Sequence, residues 1–180
     1  LNIYYGDTTE ILKNISKKFN ISEVYSHHVF KNNYLSKIDG NISKFFKECN
    51  IQWYLLNQFG IQLGKRDRYR WSYNWNKFIN QPVLEKRVNC NFIIDPDQNK
   101  NSTISTNFID DKLIQEGGRK NALKLLNSFL DDRSDNYQKE MSSPITGEKS
   151  CSRLSPYITY GNISLREIYR ATKQKLNEDI

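Results

Sequence analysis

From Ser150 to Tyr157 the chain reads Ser150-Cys151-Ser152-Arg153-Leu154-Ser155-Pro156-Tyr157, with hydroxyls on both sides of a guanidinium and a helix starting just after. Donors and a fixed positive charge that converge at a helix start suit a phosphate-bearing ligand. The plain alternative is a helix cap, Ser155 ahead of Pro156 at the first helical position, and these residues alone favour it. A second candidate is Glu116-Gly117-Gly118-Arg119-Lys120-Asn121-Ala122-Leu123-Lys124-Leu125-Leu126, a Gly-Gly turn entering an amphipathic helix. Backbone amides at such a start can hold phosphate. No strand precedes the turn, so it is neither a dinucleotide fingerprint nor a P-loop, and a simple helix-start turn is the plainer reading. His27 and His28 follow a strand-like run. Neighbouring side chains on a strand leave opposite faces and no carboxylate is patterned nearby, so no metal is expected. Cys49, Cys90 and Cys151 are odd in number, far apart and without a CxxC pair. Neither a disulfide framework nor a zinc site is indicated, and a reducing, cytoplasmic setting is expected.

The elements that must carry these residues change character along the chain. Ile3 and Tyr5 read as strand, Gly6-Asp7 ends it, and Thr8 or Thr9 is the expected cap of a helix with Ile11, Leu12, Ile15 and Phe19 on one face. Ile21 to Ser26 reads as a second strand, and Ile38, Ile42, Phe45 and Phe46 mark a second helix that ends at Cys49-Asn50. Ile51 to Leu55 reads as a third strand. This alternation implies parallel pairing through right-handed crossovers. A doubly wound sheet usually has about five strands or more, so the first portion reads as the latter part of a larger one. Trp71, Trp75, Phe78 and Ile79 then share a helical face, and the polar stretch from Asn80 to Ser105, with Pro82 and Pro96, reads as a long linker. Beyond it only helical stripes appear: Ala122, Leu125, Leu126, Phe129 and Leu130, then Tyr157 to Leu176, broken by a stop at Gly161-Asn162 and a cap at Ser164. The predicted fold is α/β, a partial Rossmann-like parallel sheet over residues 1–63, then a linker with a short helix over 64–106 and an all-α portion over 107–180, truncated at both ends.

Composition narrows the partners. Aromatic residues make up 13% of the chain, enough for a core although only 37% is apolar. The net charge of +7 favours a polyanionic partner: nucleic acid, an acidic membrane surface or a phosphate-bearing cofactor; a basic but uninvolved surface is the alternative. The basic residues cluster at Lys65, Arg66, Arg68 and Arg70, and again at Lys112, Arg119, Lys120 and Lys124. No run approaches the roughly 18 apolar residues of a membrane span, so no membrane is expected.

The order of the segments is more specific than any one of them. A Gly-Gly pair leads into a helix with Ala122, Leu125 and Leu126, followed by Phe129-Leu130-Asp131-Asp132-Arg133 and Tyr137. After a gap come Ser152-Arg153-Leu154-Ser155-Pro156-Tyr157, Tyr160-Gly161-Asn162-Ile163-Ser164 and Arg166-Glu167. From Glu116 to Tyr169 this resembles the opening of the FAD-binding domain in the DNA photolyase and cryptochrome family. That pattern has Gly-Gly-Glu, an Ala-Leu helix ending in Tyr, Thr-Ser-x-Leu-Ser-Pro-Tyr-Leu, and a Gly-x-Ile/Leu-Ser-x-Arg continuation. Upstream, Arg66-Asp67-Arg68-Tyr69-Arg70-Trp71-Ser72-Tyr73-Asn74-Trp75 is similar to an Asn-Arg-Asp-x-Trp-x-x-x-Trp stretch of a bacterial branch. The family's Arg-Asp-Leu-Arg antenna signature is absent.

The resemblance implies that residues 1–63 are the end of the family's antenna domain and 107–180 the start of its helical FAD-binding domain. The first flavin-contacting Tyr falls on Tyr137, and the flavin loop on Cys151, Ser152, Arg153, Leu154 and Ser155. Cys151 stands for the usual Thr, Arg119 for the usual Glu, and Met141 for a basic residue associated with DNA contact. The implied cofactor is FAD, with a second antenna chromophore of unknown type, and the implied partner is DNA containing pyrimidine dimers. The implied activity is that of a deoxyribodipyrimidine photo-lyase, a carbon-carbon lyase, with no catalytic residue within this chain. A cryptochrome-like photoreceptor without repair activity and a truncated inactive remnant are the alternatives. A monomer is expected. The isolated chain is expected to bind FAD weakly, with a raw sheet edge and with Ile163, Ile168 and Leu176 short of partners.

Overall fold

The computed structural model describes residues 2–28, 33–60, 69–84, 89–96 and 114–178. The basic residues Lys65, Arg66, Arg68 and Lys112, with the first part of the Arg66–Trp75 motif, lie outside them. The described fold is mixed, mostly helical with a small two-stranded parallel sheet. The chain divides into two compact units, one comprising residues 1–71 and 86–107, the other 72–85 and 108–180. The interval 64–106 is thus shared between them.

In the first unit, α1 (Thr8–Lys18), β1 (Glu23–His27), α2 (Asn33–Glu48) and β2 (Gln52–Leu56) follow in order. β1 and β2 pair in parallel with Val24 opposite Trp53 and Tyr25 opposite Tyr54. The cap of α1 is Asp7, not Thr8 or Thr9: the Glu10 N–H donates to Asp7 Oδ1 at 3.0 Å. A carboxylate there also complements the positive end of the helix. Asn50, at φ 54, turns the chain from α2 into β2. One face of the sheet and its helices bury Ile42, Phe46 and Ile51, with Leu12, Val24, Ile38 and Trp53 packed around them. The Phe46 ring stands edge-on to Trp53 at 5.5 Å.

Residues 2–5 are not the expected first strand. Their bonds run instead to the segment around Asp95. Asn2 donates to the Ile93 carbonyl at 3.0 Å, and Tyr4 Oη donates to Asp95 Oδ2 at 2.8 Å. Lys18 Nζ completes the cluster 3.2 Å from the same carboxylate, which is 1% exposed. A buried carboxylate needs such donors. The two-stranded sheet leaves Tyr25, Tyr54 and Leu56 exposed on its other face, with the tyrosine rings stacked at 4.8 Å.

The second unit is helical. Most of α3 (Trp71–Ile79) belongs to it, followed by α4 (Arg119–Asp131), a 3-10 turn (Arg133–Asn136), α5 (Tyr137–Glu140), α6 (Gly147–Ser150), α7 (Ser155–Thr159) and α8 (Leu165–Glu178). Its core is Ala122 and Leu126 from α4, Leu154 and Tyr157 from the start of α7, and Ile163, with Ile168 packed against them. Ile163 and Ile168 therefore find partners within the chain, contrary to expectation, because α4 crosses α8 and presents its apolar stripe there. Leu176 stays 60% exposed. Arg166 fastens α3 to α8: its guanidinium lies 4.6 Å over the Phe78 ring and its Nε donates to the Phe78 carbonyl at 3.1 Å. Among the described residues no helix is long and apolar enough to cross a membrane.

Candidate functional site

The loop between α6 and α7 is short and its backbone is unusual. Arg153 sits at φ 57, the left-handed region that a side chain rarely adopts. Such a residue persists only where its surroundings over-determine it. Here both neighbours of the turn are anchored. Leu154, 3% exposed, plugs into the core beside Tyr157. On the other side, the Ser150 hydroxyl is buried, donating to Glu140 Oε2 at 2.5 Å.

Arg133 reaches into the loop from the 3-10 turn. Its Nη1 donates to the Cys151 carbonyl, its Nη2 to the Leu125 carbonyl at 2.9 Å, and its Nε to Ser128 Oγ at 3.1 Å. Burial lowers the pKa of this guanidinium, and the nearby positive charge of Arg153 lowers it further. Arg153 itself pairs with Glu148 at 3.2 Å, and its carbonyl accepts from Gln115 Nε2 at 3.2 Å. The positive charge of Arg153 thus acts on Arg133 from the same turn, with Asp132 offsetting it. Chemically this arrangement can accept an anion, which would relieve the repulsion.

Residues 151–155 form this one turn, Cys151, Ser152 and Arg153 half-buried, Leu154 buried and Ser155 exposed. Leu154 faces the core, so its part is to hold the turn. Ser155 is the first residue of α7 and makes no capping bond. Tyr137 stands apart from the turn, opening α5 with its ring edge-on to Phe129 at 5.8 Å. It connects to the loop through α5, whose last residue, Glu140, holds Ser150, and through Phe129, over whose ring Arg133 lies at 5.8 Å.

The Gly-Gly turn is built for entry into α4. Gly118 precedes the helix at φ 96 and ψ 157, a region open essentially to glycine. Arg119, where the family pattern has Glu, crosses to α8, its Nη2 donating to Glu167 Oε1 at 2.5 Å. That bond holds the Glu167 carboxyl below its ordinary value, with bonds from Ser164 adding to the effect. Ser164 and Glu167 form a reciprocal capping box, the Ser164 N–H donating to Glu167 Oε2 at 2.9 Å and the Glu167 N–H to Ser164 Oγ at 3.2 Å. The Tyr157 hydroxyl returns to the Glu116 carbonyl at 2.6 Å, so the Gly-Gly turn and the 151–155 turn are tied together.

Sequence reasoning missed Arg133 and Glu140. Both sit in charged runs that ordinarily face solvent, and nothing local signals that they bond residues 10 or 18 positions onward. In the first unit, His27 lines an apolar cleft of about 430 Å³ with Leu12, Ile38, Asp39 and Trp53. The His28 N–H donates to the Leu56 carbonyl at 2.8 Å. Among the described residues no three of His, Cys, Asp and Glu gather as a metal site. Compared with known proteins, the chain matches no family model and no curated protein.

Proposed function

We propose that this chain is part of a blue-light-driven, FAD-dependent deoxyribodipyrimidine photolyase, the end of its antenna domain and the start of its flavin-binding domain. The observation that carries the reading is the ordered run from Glu116 to Tyr169, whose two glycine- and serine-rich turns are joined by the Tyr157 hydroxyl bond to the Glu116 carbonyl. The residues of the second turn suit a phosphate-bearing cofactor: Ser152 supplies a hydroxyl, Arg153 a guanidinium, and Arg133 a second positive charge. When bound, reduced FAD supplies the light-driven electron for splitting a pyrimidine dimer. The part of this chain is to bind and orient: Ser152, Arg153 and Ser155 meet the phosphate or ribityl region, and Cys151, Leu154 and Tyr137 shape the surroundings. The net charge of +7 supports DNA as partner. A second antenna chromophore would belong to the first unit, and the cytoplasm is the proposed setting.

Met141 favours a second reading. It is 48% exposed at the position where the family pattern carries a basic residue associated with DNA contact. A methionine there suits a cryptochrome-like photoreceptor that holds FAD and signals without repair. The test is the protein expressed from its complete reading frame. Its visible spectrum after reconstitution with FAD should show bound flavin, and illumination should split dimers in damaged DNA. Bound flavin without dimer splitting would select the photoreceptor, and absence of flavin would end both readings.

A further inference from the structure

We infer that Arg133 is the positioning residue of the 151–155 turn, presetting it for the phosphate-bearing part of its ligand, an inference that rests on the flavin reading above. The guanidinium spans three acceptors on two elements: the Leu125 carbonyl and Ser128 hydroxyl of α4, and the Cys151 carbonyl of the turn. It therefore ties the turn to α4, the helix entered through the Gly-Gly turn. Only a planar fork makes all three bonds together, and an ammonium, being a point charge, would not. Three of the five N–H groups of a guanidinium are engaged this way.

Two further observations support the role. The tethered carbonyl lies two residues before Arg153, whose left-handed backbone at φ 57 needs fixed neighbours. The positive charge of Arg153 acts unfavourably on Arg133, with Asp132 offsetting it, while Glu148 is the acidic partner of Arg153. An anion at the turn would add a further partner for both guanidiniums.

The experiment uses the complete protein and compares wild type, Arg133→Gln and Arg133→Lys. Affinity is read by fluorescence titration with two probes, FAD and riboflavin, which lacks phosphate. Amide hydrogen exchange is read without ligand. Arg133→Gln should weaken FAD binding about tenfold to a hundredfold, the worth of a charged hydrogen bond. Riboflavin binding should change by less than about twofold. Arg133→Lys should fall between Gln and wild type, because it restores charge without the fork. Exchange should quicken at residues 151–153 while the amides of α4 and α8 stay protected. Should Arg133→Gln fail to fold, Arg133→Lys and the exchange pattern carry the test. Loss of both flavins in parallel, or protection lost evenly through α4 and α8, would reduce Arg133 to ordinary packing and overturn the inference. FAD binding equal to wild type in both variants would overturn it and leave the flavin reading standing. A wild-type protein that binds neither probe would overturn that reading, and this inference with it.

Discussion

Glu167 serves two purposes at once, closing the capping box of α8 and receiving Arg119 from the start of α4. Because its carboxyl is held below the ordinary value of 4.5, its stabilising contribution is complete above that pH. It is lost as pH falls through the lowered folded value, where the unfolded chain already binds the proton less reluctantly. In denaturant titrations across acid pH, wild type should lose stability more steeply below about pH 4.5 than Glu167→Gln. Parallel curves would take Glu167 out of the acid response. Removing the other half of the box, Ser164→Ala, should cost about 1 kcal/mol by thermal or chemical unfolding. The adjacent glycines give a sharper contrast. Gly118 has φ 96, whereas Gly117 has open space around it and no left-handed backbone. Gly118→Ala should destabilise by about 1–3 kcal/mol, and Gly117→Ala should be close to neutral. Equal effects at both would mean that the turn is not strained where the backbone places it.

At the scale of elements, each unit rests on a small apolar cluster. Ala122 and Leu126 are the only residues of α4 that are fully buried, and both face Leu154, Tyr157 and Ile163. Leu126→Ala leaves a cavity that neighbouring helices fill only in part, so unfolding of this unit should be easier by about 2–5 kcal/mol. A loss under about 1 kcal/mol would show that α4 repacks freely. The helix stripe was legible in the sequence, since Ala122, Leu125 and Leu126 recur at the spacing that places them on one face. The first strand was not. Ile3 and Tyr5 carry strand-forming side chains, but a strand needs a ladder partner, and these residues bond through Asn2 and Tyr4 to the segment around Asp95. Asp95 sits in a stretch whose composition reads as linker, yet it accepts bonds from Tyr4 and Lys18. Asp95→Ala removes that acceptor and should cost about 1–3 kcal/mol in chemical unfolding.

For the whole molecule, the +7 charge is the property with the longest reach. If DNA is the partner, binding of the complete protein to a damaged duplex should weaken steeply as salt rises, because each phosphate neutralised releases counterions. An affinity indifferent to salt would remove the backbone-binding account. Composition and motif order are read from the chain directly. They are enough for the charge, the α/β alternation, the helical second half, the caps at Gly161 and Ser164, and the candidate turn at residues 151–155. These features are local: they depend on neighbours within about one helical turn, so periodicity and turn chemistry expose them. Only the tertiary structure decided that Arg133 holds the Cys151 carbonyl, that Glu140 holds Ser150, that Arg119 crosses to Glu167, and that Asp95 is buried. Each brings together residues at least 10 positions apart, and a polar contact between distant positions leaves no period in the sequence to show it.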